Sequence, residues 1–201
     1  MGGRPGRFGR RLATAVLAAA ALGSLAAGPA TLLGIVTATP AQAATATATF
    51  TAGSLAFVSA PPNVTFNDTL NGTNQTVTAL QNLDVSDATG SGAGWSITAT
   101  STTFATGGGP TLATNATTVQ SAPTKACDSG STCTLATDSV SYPYSLPAAA
   151  SAPTATKMFN AAVNTGEGNE TVAVTWTLAI PATTTPGTYT STWTISLNSG
   201  P

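Results

Sequence analysis

The sequence predicts an all-β domain, a sandwich-like fold that follows an N-terminal leader. Three observations predict it. Threonine, β-branched and suited to strands, recurs along the whole chain. Apolar and polar residues alternate with period two over 171–180 and again over 188–197. No segment after residue 43 spaces its apolar residues at i, i+3, i+4 and i+7, so no amphipathic helix is expected. Short strands separated by turn residues argue for a sandwich or a barrel.

The elements follow in chain order. Strands are expected at 45–51, 54–59, 76–85 and 95–103, each bounded by Gly, Pro, Asn or Ser. Gly90-Ser91-Gly92-Ala93-Gly94 reads as a turn or bulge ahead of Trp95. Over 105–153 the alternation fades, and this stretch is expected to be a loop-rich insertion within the β domain. In the strand at 171–180, Val172, Val174, Trp176, Leu178 and Ile180 share one face, with Thr171, Ala173, Thr175, Thr177 and Ala179 on the other. The last strand turns Tyr189, Ser191, Trp193, Ile195 and Leu197 inward. Pro186-Gly187 supplies a turn between the two, so a hairpin is expected there.

The N-terminus has the layout of a secretory signal peptide over 1–43. Arg4, Arg7, Arg10 and Arg11 form a basic region, an apolar run follows at 12–27, and Ala41-Gln42-Ala43 is a small-x-small cleavage pattern. Cleavage is expected between Ala43 and Ala44. Gly28-Pro29 interrupts the apolar stretch, which argues against an uncleaved anchor helix. Arg10-Arg11 leaves twin-arginine export as an alternative to the general route. Residues 44–201 then suffice for one domain with a core, and no transmembrane anchor is expected in the mature chain.

Cleavage changes the charge balance. The four arginines leave with the leader, so Lys125 and Lys157 alone oppose seven acids. Such a chain cannot neutralise a row of phosphates, which excludes nucleic acid as a partner. Surface attachment must rest on hydrogen bonds, apolar contact and aromatic faces. Cys127 and Cys133 enclose a short loop, and in an exported chain they are expected to form a disulfide. With no His, neither a Ser-His-acid triad nor a structural zinc site is expected. The carboxylate pairs Asp84/Asp87 and Glu167/Glu170 are three apart among polar turn residues, a poor arrangement for glycoside hydrolysis. Gly166-Glu167-Gly168-Asn169-Glu170 lacks the spacing of a calcium loop. No enzyme activity, cofactor or metal is expected.

All three tryptophans share one local pattern: Trp95-Ser96-Ile97, Trp176-Thr177-Leu178 and Trp193-Thr194-Ile195. On a strand the outer two residues of each triplet project to one face, an apolar plate that suits either a core or a sugar ring. The flanks extend the pattern. Gly92-Ala93-Gly94-Trp95-Ser96-Ile97-Thr98-Ala99, Met158-Phe159-Asn160-Ala161-Ala162, and the run from Pro186 through Trp193 to Ile195 resemble the motifs of WxL-domain surface proteins of Gram-positive bacteria. The resemblance covers roughly residues 45 to 201. Two of its motifs carry Ile where the family carries Leu, a swap that cores tolerate.

The resemblance implies a β-rich domain at the cell wall or cell surface, bound non-covalently to peptidoglycan or another cell-wall glycan. The wall-binding candidates are Trp95, Ile97, Trp193, Ile195, Trp176 and Leu178. Asn198-Ser199-Gly200-Pro201 offers no sorting motif or apolar tail, in keeping with non-covalent attachment. The alternative is a structural or adhesive surface subunit that binds another surface protein through a sheet edge or loops, because few charges are left to guard strand edges.

Overall fold

Ten strands form among the described residues, 43–201, of the computed structural model, with no helix among them. In chain order they are β1 (Leu55–Phe57), β2 (Gln75–Asp87), β3 (Trp95–Thr102), β4 (Thr117–Val119), β5 (Thr124–Cys127), β6 (Tyr144–Ser145), β7 (Ala148–Ala149), β8 (Thr156–Ala161), β9 (Gly168–Ile180) and β10 (Trp193–Ser199). The all-β fold expected from the sequence is present. The leader, apart from Ala43, lies outside the described residues. No helix among the described residues is long and apolar enough to cross a membrane.

Two sheets make a sandwich. In the first, the order is β1-β2-β9-β4-β6, with β5 also beside β9. Its spine is the antiparallel pair β2 and β9, in register from Gln75 opposite Ile180 to Asp87 opposite Gly168. The second sheet runs β10-β3-β7, with β8 also on β3. The alternation read in 171–180 is realised: Val172, Val174, Trp176, Leu178 and Ile180 are buried, while Thr175 and Ala179 are exposed. Val172, Val174 and Trp176 meet Trp95, Ile97 and Ala99 of β3 and Met158, Phe159 and Ala161 of β8 in one core, while Leu178 packs with Leu112 and Ala116 in a second, smaller cluster.

The turn glycines before β3 serve close packing. Gly94 has φ +71°, and a Cβ there would collide with the carbonyl oxygen of Ala161 on β8. The disulfide between Cys127 and Cys133 is formed, with Cα atoms 5.6 Å apart. It closes the turn after β5, and Thr134 just beyond it donates its backbone N–H to the carbonyl of Glu167.

Two expectations are corrected. Residues 45–51 form no strand; pairing begins only at β1, where Leu55 and Phe57 offer larger side chains to bury than the alanines before them. The strands at 171–180 and 188–197 are not a hairpin. β9 pairs with β2 and β10 pairs with β3, and residues 181–192 cross from one sheet to the other. Each strand carries an apolar stripe, and facing the two stripes across the sandwich buries both. The 105–153 stretch, expected as a loop-rich insertion, is mostly loop and also adds short strands to both sheets. Its short strands β4, β5 and β6 extend the first sheet, β7 extends the second, and Val119, Ala136, Tyr144 and Leu146 enter the core.

Candidate functional site

The three tryptophans have different environments. Trp95 and Trp176 have no exposed surface. The Trp95 indole N–H donates to the carbonyl of Gly166 at 2.8 Å, and its ring lies 5.8 Å from Phe159. The Trp176 indole N–H donates to Gln81 Oε1 at 2.8 Å. A buried indole needs such a partner, and both have one. Ile97 is wholly buried and Leu178 is 6% exposed. Trp95, Trp176 and Ile97 have no face to offer a ligand, which corrects the expectation that they contact the wall, while Leu178 keeps only a narrow edge at a groove. Their strands lie inside the sheets, so their inward faces are shut in by the opposite layer.

Trp193 and Ile195 are only half-buried, because β10 is the edge strand of its sheet. The inner side of the Trp193 ring packs edge-on against Trp176, with centroids 4.8 Å apart. Phe104 and Phe66 lie at 6.3 and 6.4 Å. No described residue accepts a hydrogen bond from the Trp193 indole N–H. Trp193 and Ile195 border a groove of about 1340 Å³.

The groove has two irregular walls. One is the segment 58–70. Pro61 and Pro62 lack a backbone N–H, so the chain leaves the edge of β2 there and turns Val64 and Phe66 toward the core. Gln81 Nε2 donates to the Pro62 carbonyl at 2.7 Å, and Gln75 Nε2 donates to Asp68 Oδ2 at 2.9 Å, fixing the segment against β2. The other wall is the crossing 181–192, with Tyr189 donating its hydroxyl to the Thr185 carbonyl at 3.0 Å. Val77, Leu178 and Ile180 supply apolar surface between the walls. Threonine hydroxyls ring the aromatic surface, and Asp68 is its one charged group among the described residues. Such a groove suits an uncharged ligand with both hydroxyls and apolar faces.

The carboxylates lie elsewhere. Asp84 and Asp87 fall on opposite faces of β2. Burial, reinforced by neighbouring Asp128, raises the Asp84 carboxyl above its ordinary range. Glu170 has no exposed surface; its Oε2 accepts the Ala136 backbone N–H at 3.0 Å, and its Oε1 has no described partner. Burial pushes its carboxyl up, against the pull of the Ala136 N–H and of Lys125. Glu167 sits in the turn before β9. Among the described residues, no three His, Cys, Asp or Glu side chains converge as metal ligands.

Sequence reasoning finds Trp193 and Ile195 through their motif. It misses Phe66 and Phe104, because segments 58–70 and 103–116 carry no sustained alternation, and it misses Gln81, on an expected strand, because its partners Trp176 and Pro62 are distant in sequence. The signal available was Pro61-Pro62 followed by alternating Val64 and Phe66. No protein-family model matches the chain, and no characterised protein or solved structure matches it either.

Proposed function

We propose that this is an exported, non-catalytic surface protein that binds a cell-wall glycan, with peptidoglycan as the first candidate, in the groove beside Trp193. The observation that carries the reading is the partial exposure of Trp193 in an aromatic groove, with its indole N–H bonded to no described residue. A sugar ring has an apolar face that stacks on an indole and hydroxyls that bond an N–H. A rim whose charge among the described residues is the single carboxylate of Asp68 fits a neutral polysaccharide better than an anionic wall polymer. The WxL resemblance supports the same reading, with the contact assigned to the Trp193 motif and the Trp95 motif kept for the core.

The test is co-sedimentation of the purified protein with isolated Gram-positive peptidoglycan. The wild type should pellet with the wall, and Trp193→Phe should pellet less while keeping its circular dichroism spectrum. A folded wild type that stays in the supernatant overturns the proposal, as does a folded Trp193→Phe that pellets like the wild type.

A further inference from the structure

Strand β10 leaves half of its backbone groups unpaired. It pairs with β3 from Trp193 opposite Ser101 to Ser199 opposite Trp95. Just before it, Thr102 donates its N–H to the Thr192 carbonyl; just after it, Gly200 donates to the Gly94 carbonyl. Even-numbered residues therefore turn their backbone groups toward β3. Those of Trp193, Ile195 and Leu197 point off the edge of the sheet, and no described residue bonds them. The edge carries neither a charge nor a proline, the usual guards against an added strand.

The chain also holds a strand-like segment that no described residue pairs. Residues 44–52 read Ala-Thr-Ala-Thr-Ala-Thr-Phe-Thr-Ala. When extended, they put Ala46, Ala48, Phe50 and Ala52 on one face and Thr45, Thr47, Thr49 and Thr51 on the other. No strand forms there, and Phe50 is 91% exposed. β10 alternates in the same sense, with Trp193, Ile195 and Leu197 half-buried and Thr194 and Asn198 outward. A strand added at its edge would align the two apolar faces and the two hydroxyl faces.

We propose that residues 44–52 of one copy add as a strand to the free edge of β10 in a second copy, with Phe50 entering the groove beside Trp193. Main-chain hydrogen bonds supply the attachment, and Phe50 sets the register, since a slip by one residue would turn it to solvent. Segment and edge are different surfaces of the same chain, so the contact is head-to-tail. Each added copy presents a fresh edge, and the product is a ring or a filament. An occupied groove is closed to glycan, so wall contact and assembly exclude each other on any one copy.

Sedimentation velocity on the purified full chain over rising concentration tests this, with Phe50→Asp alongside and a free peptide of residues 44–52 as competitor. The wild type should form species larger than dimers. Phe50 is 91% exposed and packs in neither core cluster of the described residues, so Phe50→Asp should keep the wild-type melting curve while its assembly shifts to at least about tenfold higher concentration. The peptide should shorten wild-type assemblies, and the same peptide carrying Phe50→Asp should not. A wild type that is monomeric at every concentration overturns the proposal. So does a dimer that grows no further and ignores the peptide, or a Phe50→Asp variant that assembles like the wild type.

Discussion

The indole of Trp193 rests edge-on against that of Trp176, with ring centroids 4.8 Å apart. The two rings come from strands of opposite sheets, so a half-buried side chain at the groove stands on a fully buried one in the core.

That contact separates two substitutions. Trp176→Ala opens a cavity in the centre of the core and should cost about 3–5 kcal/mol. Trp193→Ala removes a ring that keeps part of its surface in water and should cost about 1–2 kcal/mol, since less area leaves the core. Urea unfolding of both variants checks the order. Equal losses would mean that Trp193 is as much a core residue as Trp176.

Gln81 links the core to the wall of the groove. It accepts the Trp176 indole N–H and donates to the Pro62 carbonyl. Gln81→Leu leaves a buried indole N–H without a partner, at a cost of about 1–3 kcal/mol. It also frees Pro62, so amide exchange across 58–70 should quicken while β9 stays protected. Hydrogen-exchange mass spectrometry reads both regions in one experiment.

Glu170 gives stability a pH dependence of defined sign. Its carboxyl is raised above the ordinary 4.5 by burial, so the native state holds that proton more tightly than the unfolded chain. Its contribution is complete below about pH 4.5 and is lost as pH rises through the raised native value. Asp84, raised by burial and by Asp128, acts in the same direction. Glu170→Gln cannot ionise, so its melting temperature should gain on the wild type as pH rises from about 4.5 to neutral. A constant difference between the two proteins across that range would remove Glu170 as the source.

Gly166 has φ +75°, and a Cβ at that position would press on the Trp95 indole and on Ala161. Its carbonyl also accepts the Trp95 indole N–H. Gly166→Ala should therefore cost more than the roughly 1 kcal/mol typical of a mutation, with strain and a displaced core ring acting together. Thermal melts against Gly130→Ala test this, because Gly130 shares the positive φ but has open space around it.

Period-two alternation made the strands legible. β2, β3 and β9 appear within a few residues of their expected bounds because each buries a full stripe of side chains on one face. Sheet membership was not legible. The alternation of 188–197 says that one face is buried, not whether its partner lies beside it or across the sandwich, and the Pro186-Gly187 turn fitted either. The tryptophan motifs had the same ambiguity: Trp95 and Trp193 share a tripeptide, and only their places in the sheet, interior against edge, separate a core residue from one that borders a groove. Phe66 and Phe104 were barely legible, because segments 58–70 and 103–116 alternate too briefly to mark a buried face.

The unequal burial of the three indoles also makes the protein its own optical probe. Trp95 and Trp176 are shielded from water, so their emission should be blue-shifted and resistant to acrylamide. Trp193 should supply the red-shifted, quenchable fraction. Any molecule that enters the groove, whether a muropeptide or the Phe50 segment of a neighbour, would then announce itself in that fraction alone, without a label.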